Sequence, residues 1–205
     1  MSATCFTRAA RGIGFATRRR MRAFALLTVL VGCSSIDGPE ILRNPDFEQL
    51  DGTGWLADWT NMDRNPDGEI VVVKNPVASG EFAVQWQMAA NADGWEYWFT
   101  QDGIDPQQLV PGHEYELDGW YFVDQPGDVA LNYIVRGQPD DTPNLETVSQ
   151  VPTYPKVVGK WAHFSFHFTI PGNATPQMYE VSLHSIKFNG AATKLTLDNV
   201  SLHEI

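Results

Sequence analysis

From Ile41 onward, apolar residues alternate with polar ones in short runs. In Glu81–Met88 the apolar row is Phe82, Val84, Trp86 and Met88. In Glu114–Asp124 it is Tyr115, Leu117, Tyr121 and Val123, with Gly119 on the same side. Asp128–Arg136 repeats the pattern with Val129, Leu131, Tyr133 and Val135, and Trp161–Ile170 with Ala162, Phe164, Phe166 and Phe168. A period of two sends successive side chains to opposite faces, so each row predicts one strand with one face buried. Turn dipeptides punctuate the runs: Asp51-Gly52, Ser79-Gly80, Asp102-Gly103, Pro111-Gly112, Pro126-Gly127, Pro171-Gly172 and Asn189-Gly190. No stretch reads convincingly as a helix. Short strands with such breaks predict an all-β fold, a sandwich of two antiparallel sheets. Residues Gln138–Pro155 hold four Pro and few apolar neighbours, and read as a long loop.

The last stretch, Leu195–Ile205, also alternates, but the pattern slips at Asp198-Asn199 and resumes at Val200 and Leu202. One extra residue, a bulge, would give that slip. A carboxylate in the middle of a buried strand has to be paired, hydrogen-bonded or bound to a metal. Near the other end, Glu48 follows the apolar Phe47 and precedes a Gly-rich turn. If the first and last strands lie side by side, Glu48 and Asp198 can converge on one cation, and two carboxylates with backbone carbonyls suit calcium. The alternative is that Asp198 caps a turn and Glu48 is solvated.

The rows facing away from the core carry mixed chemistry. They hold Gln85 and Gln87; Trp120 and Phe122; Asn132, Ile134 and Arg136; His163, Ser165 and His167; and Trp98, which alternates against Trp95, Tyr97 and Phe99. Flat rings among amides, imidazoles and a guanidinium suit a neutral polyhydroxylated ligand, because the aromatic face packs on the C–H side of a sugar ring. Trp98, Trp120, Gln85, Gln87, Asn132, Arg136, His163 and His167 are therefore candidate carbohydrate-binding residues, with the two Trp expected to line one groove. The competing reading puts Trp98 and Trp120 under the long loop as a satellite core.

Several motifs occur in order along the chain: Asn44-Pro-Asp-Phe-Glu48, Gly54-Trp55, Ser79-Gly-Glu-Phe-Ala-Val84, Pro111-Gly-His-Glu-Tyr-Glu-Leu117, Gly159-Lys-Trp161 and Leu197-Asp-Asn-Val-Ser-Leu202. Together they resemble carbohydrate-binding modules of the family 4/9/22 type. The resemblance spans about residues 41 to 204. It implies a galactose-binding-like β-jelly roll, non-catalytic sugar binding on the concave face of one sheet, and a structural calcium where the first and last strands meet. It also implies backbone carbonyls near Asp46 and Glu81 as further ligands. Relatives often place another carboxylate shortly before the Ser-Gly turn, where this chain has Val77 and Ala78.

The N-terminus changes the picture of charge and location. Arg18-Arg-Arg20 and Arg22 precede the apolar run Ala23–Val31, which is too short to span a bilayer after export. The run ends Leu30-Val-Gly-Cys33, which resembles a bacterial lipobox and implies acylation of Cys33. The expected organisation is a lipoprotein signal peptide over 1–32 (with Met21 an alternative start), a lipidated tether over 33–40 and the module over 41–205. An outer-membrane or cell-surface lipoprotein follows, held to the membrane by its lipid anchor. Beyond Cys33 stand eight Lys and Arg against 25 Asp and Glu, a net charge of −17. Such a surface repels nucleic acid and anionic lipid and accommodates a neutral polysaccharide or oligosaccharide. The two Cys of the chain, Cys5 and Cys33, leave no internal disulfide in the module, which is expected to be monomeric.

Catalytic motifs are missing. There is no Gly-x-Ser-x-Gly, phosphate loop or His-Glu-x-x-His. Glu96, Glu116 and Asp118 lie on strands, but acidic pairs mean little in so acidic a chain. His163 and His167 share a strand face without an obvious third metal ligand beyond His184. A non-catalytic binding module is the expected function. The alternatives are a structural or protein-interaction jelly roll, and a small polysaccharide hydrolase or lyase.

Overall fold

A computed structural model of the chain describes residues 38–62, 68–90, 95–125, 129–138, 146–149, 157–187 and 192–205. Among these residues ten strands follow one another: β1 (Thr60–Asn61), β2 (Gly68–Val73), β3 (Ala83–Met88), β4 (Trp95–Ile104), β5 (Glu114–Val123), β6 (Val129–Gln138), β7 (Glu146–Ser149), β8 (Ala162–Thr169), β9 (Met178–Lys187) and β10 (Thr193–Glu204). They form two five-stranded sheets, β1-β4-β9-β6-β7 and β2-β3-β10-β5-β8. Every pairing is antiparallel. No helix occurs among the described residues, and the fold is the expected β-sandwich. Residues Ile36–Ile205 make one compact unit.

The alternating rows form the core between the sheets. Val84, Trp86, Tyr115, Leu117, Tyr133, Val135, Phe166 and Phe168 are all buried. The sheets meet through aromatic contacts. Trp86 of the second sheet lies edge-on to Phe99 of the first at 6.1 Å. Phe166 of the second lies 4.9 Å from Tyr133 of the first. Phe99 also stacks on Trp59 at 4.4 Å and meets Phe47 edge-on at 5.5 Å, so the loop before β1 is tied to the first sheet. Gly119 has a packing reason. A Cβ there would come within 2.8 Å of Phe164 Cζ and 3.1 Å of the Asn199 carbonyl oxygen.

The two ends of the domain meet. Gly38 N–H donates to the Glu204 carbonyl and Ile41 N–H to that of Leu202, both at 2.9 Å. Glu40 accepts from Ser201 Oγ at 2.6 Å, so the sandwich already takes in Gly38–Glu40, which the sequence assigns to the tether. The expected bulge is present: the β10–β5 register shifts between Asp198 and Ser201, and Asn199 takes a φ of 49°. The stretch Gln138–Pro155 is not a single loop. Gln138 ends β6, and Glu146–Ser149 is β7, paired to β6; the remainder lies outside the described residues. Cys33 and the expected signal peptide also lie outside them.

Candidate functional site

The expected binding residues divide between two faces. Trp98 is on β4, and Asn132 and Arg136 are on β6, all in the first sheet. Gln85 and Gln87 on β3, Trp120 on β5, and His163 and His167 on β8 belong to the second. Each alternates with a residue that packs into the core between the sheets, so the two groups face outward on opposite sides of the sandwich. The single groove expected for Trp98 and Trp120 therefore does not form. The reason is pairing: β4 joins β1 and β9, whereas β5 joins β10 and β8.

On the first sheet, Trp98, His184 and Asn132 are register partners in one row across β4, β9 and β6. The Trp98 and His184 rings stack with centroids 4.0 Å apart. The Arg136 guanidinium lies over Trp98 at 5.4 Å from the ring centroid, a cation–π distance. Below this row, Thr100 bonds Ser182 at 2.9 Å, Ser182 donates to Glu180 at 2.7 Å, and Gln138 donates to Glu180 at 2.9 Å. Because the Ser182 hydroxyl proton goes to Glu180, Thr100 is the donor to Ser182. Thr100, Ser182 and His184 are fully buried, whereas Trp98, Ile134, Arg136 and Gln138 are partly exposed and form the accessible part of the face. Burial, reinforced by the Arg136 cation, pushes the His184 imidazole down to about 3, so it is neutral near pH 7. Asn132 is buried and its Oδ1 accepts no hydrogen bond among the described residues. A buried acceptor without a donor is costly, and a ligand hydroxyl could supply one. His184, Glu180 and Gln138 are not among the carbohydrate-binding candidates that the sequence offers. The signal for His184 and Glu180 is the polar row of β9, Glu180, Ser182 and His184, alternating with Tyr179, Val181 and Leu183; Gln138 ends the outward row of β6, after Asn132, Ile134 and Arg136.

On the second sheet, Gln85 is buried and donates to Thr196 Oγ1 at 2.9 Å, while Gln87 donates to Gln85 at 3.2 Å. Trp120 is 41% exposed and lies edge-on to His163 at 5.4 Å. His163 is 3.3 Å from Asp118 and His167 is 3.4 Å from Glu116. Both imidazoles are thus engaged with carboxylates of β5, which the sequence reading left without a role.

Glu48 and Asp198 converge on one turn. Asp198 is fully buried, and its Oδ2 accepts from the N–H groups of Ala78 at 2.7 Å and Ser79 at 3.1 Å. Glu48 accepts from Glu81 N–H at 2.9 Å and Phe82 N–H at 3.2 Å. Gly80 sits between them with φ 62°, and a Cβ there would stand 2.1 Å from Glu48 Oε1. The turn-capping alternative thus holds for Asp198, whereas Glu48 is held by amides rather than solvated. A calcium ion still fits the donor set. Each carboxylate has a lone pair left, and among the described residues neither forms an ion pair. Burial first, and the Glu48 charge last, raise the Asp198 carboxyl above its usual range, against the pull of the three amides at Ala78, Ser79 and Asn199. The side chains of Asp46 and Glu81 are exposed, and Asp46 accepts from Glu48 N–H at 3.5 Å.

Residues 39–187 match a family model described as "Carbohydrate binding domain". No curated protein sequence matches the chain. Among solved structures, the chain is similar to the CBM22-1 xylan-binding domain of Paenibacillus barcinonensis Xyn10C, with 16% identity, a TM-score of 0.54, and coverage of 82% of this chain and 96% of that one. It is also similar to TmCBM61, solved in complex with β-1,4-galactotriose, with 18% identity, a TM-score of 0.51, and coverage of 82% and 99%. A CBM4 structure matches at 19% identity and a TM-score of 0.50, covering 80% of this chain and 99% of that one. At these identities the structural likeness carries the fold.

Proposed function

The chain belongs to the carbohydrate binding domain family, and from that premise we propose that it binds a neutral polysaccharide, without catalysis, on the outer face of the first sheet. The observation that carries the reading is the row Trp98–His184–Asn132 with Arg136 over Trp98. The partly exposed indole offers an apolar platform for a sugar ring, while Arg136 and Gln138 beside it offer donors to hydroxyls. Asn132 offers an acceptor. The neutral His184 adds no charge beneath the Trp98 ring. That one structural relative is named for xylan binding and another holds β-1,4-galactotriose supports a polysaccharide ligand. The net charge of −17 beyond Cys33 works against polyanionic glycans. Binding to an array of neutral oligosaccharides tests the reading; no retained glycan would sink it.

Two further elements belong to this proposal. Calcium held between Glu48 and Asp198 would fasten the turn Ala78–Phe82 to both ends of the domain; its support is two carboxylates on one turn that, among the described residues, have no cationic partner. Acylation of Cys33 would hold the module at a membrane surface; its support is the apolar run ending in Leu30-Val-Gly-Cys33. A single acyl chain anchors only marginally, so stable attachment needs more than one. Release of Cys33→Ser from the membrane fraction, or its persistence as an uncleaved precursor, is the expected result.

A further inference from the structure

We infer that the outer face of the second sheet, opposite the proposed glycan face, carries a site for a zinc-class divalent metal ion, built from His203, Glu116 and Asp118 with His163 and His167 beside them. Among the described residues, Glu116, Asp118 and His203 are the group whose ligand atoms all lie within 4.8 Å of one another. The topology makes the group. Glu116 pairs with His203 on β10 and with His167 on β8, and Asp118 pairs with Ser201 and Ser165 in the next row. Residues two apart on a strand share a face, so three His and two carboxylates from three adjacent strands face the same way.

The separations suit a metal. Two ligands of a tetrahedral ion with bonds of about 2.0 Å stand about 3.3 Å apart. His163 Nε2 is 3.3 Å from Asp118, His167 Nε2 is 3.4 Å from Glu116, and His203 Nε2 is 3.6 Å from Glu116 Oε2. Small side-chain rotations would bring a three-ligand subset, with one of the flanking imidazoles, around one ion.

The orientation of His203 is a separate observation. Its side chain is only 12% exposed. Ser201 Oγ donates to Glu40 at 2.6 Å and faces His203 Nδ1 at 3.4 Å. With its own proton given to Glu40, the Ser201 oxygen can only accept from His203, which puts the ring proton on Nδ1. That leaves Nε2 as the ring atom free to bind a metal, 3.6 Å from Glu116 Oε2. A metal-binding His commonly donates its other ring N–H to a carboxylate, carbonyl or water; here the Ser201 hydroxyl, held by Glu40, takes that place. Ser165 holds Glu116 in the same way, donating to Oε1 at 2.5 Å.

Mixed imidazole and carboxylate ligands favour zinc, nickel or cobalt over calcium and magnesium, which take oxygen. Electrostatics agrees. Glu116 and Asp118 are like charges on one strand face, and burial, with the Glu116 charge behind it, raises the Asp118 carboxyl. A divalent ion removes that repulsion. Bound there, it would tie closing strand β10 to β5 and β8 and keep a solvent-side coordination position open.

The test is cobalt(II) titration of the untagged, chelator-stripped protein, followed by its visible absorption. Wild type is expected to take up one ion per chain at micromolar affinity, with an intense low-coordinate spectrum that zinc displaces. His203→Ala and Glu116→Gln should each bind at least about tenfold more weakly. His113→Ala, which removes an imidazole paired instead with Glu204, should bind as wild type does. Melting curves of all variants establish that they are folded. Absence of saturable uptake by wild type would overturn the site. So would cobalt binding that is undiminished in both His203→Ala and Glu116→Gln, whatever His113→Ala does.

Discussion

Trp98 and Trp120 stand on opposite outer faces of the sandwich, one paired with His184 on β9 and the other with Asp198 on β10 and His163 on β8. This separates two candidate aromatic platforms that a strand-by-strand reading merges. It also makes them independent in a mutational test, since residues without shared partners have nearly additive effects.

Trp98→Ala should abolish detectable glycan binding. An aromatic anchor commonly contributes about 2 kcal/mol, or roughly thirtyfold in affinity, and a module of modest affinity has little to spare. Trp120→Ala should leave glycan affinity unchanged, because its ring faces the other side. Affinity electrophoresis in polysaccharide gels, run beside thermal melting, checks both. Binding lost in Trp120→Ala and kept in Trp98→Ala would move the glycan to the second sheet.

His184 predicts a pH dependence. Its imidazole is held down to about 3 by burial and by Arg136, while in the unfolded chain it titrates near 6.5. Protons therefore bind the unfolded state first as pH falls. The stability contributed by neutral His184 is whole above about pH 6.5 and is lost toward pH 3, at no more than about 1.4 kcal/mol per pH unit. His184→Gln should melt with a shallower pH dependence between about pH 6 and pH 4 than wild type. Parallel curves would mean that His184 is already protonated in the folded protein.

The core rows were legible because they depend only on the period of two within each strand. Val84, Trp86, Leu117, Tyr133 and Phe166 are buried as their alternation required. The slip at Asp198-Asn199 was legible for the same reason. What alternation cannot show is which strands share a sheet, since β4 finds β9 some eighty residues away and β5 finds β10 at a similar remove. Hence the sequence alone puts Trp98 and Trp120 in one groove, offers His163 and His167 no third partner beyond His184, and does not bring His203 beside Glu116. Register decides those contacts, and it is set by long-range packing.

Gly119→Ala tests the core directly. Its Cβ would press on Phe164 at 2.8 Å and on the Asn199 carbonyl at 3.1 Å. Overpacking of this kind costs about 1–3 kcal/mol. For a domain of this size, each kcal/mol lowers Tm by about 2–4 °C. Calorimetry should show a lowered Tm with cooperative unfolding retained, and an unchanged Tm would mean that Phe164 yields freely.

Glu48 and Asp198 allow the calcium reading to be separated from turn capping. Both readings make the carboxylates stabilising, so the mutants alone do not discriminate; the response to the ion does. Without a cation, burial and the Glu48 charge hold the Asp198 carboxyl above its usual range. Its folded-state pKa then exceeds the unfolded one. That part of the stability is present at low pH and is lost as pH rises through the folded value. Calcium binds only the ionised pair, so its effect has the opposite sign and appears as pH rises. Chelator-stripped wild type given calcium alone should therefore melt higher near neutral pH and unchanged in acid. At a hundredfold excess over the dissociation constant, the gain is about 2.7 kcal/mol, or roughly 5–10 °C for a domain of this size. Asp198→Ala and Glu48→Gln should lose the response. Gly80→Ala should lose it too, since its Cβ would occupy the space of Glu48 Oε1 at a residue whose φ of 62° already disfavours a side chain. His203→Ala should keep it, which distinguishes this ion from the one inferred on the second sheet. If wild type melts identically with and without added calcium at neutral pH, the two carboxylates serve as amide caps and nothing more.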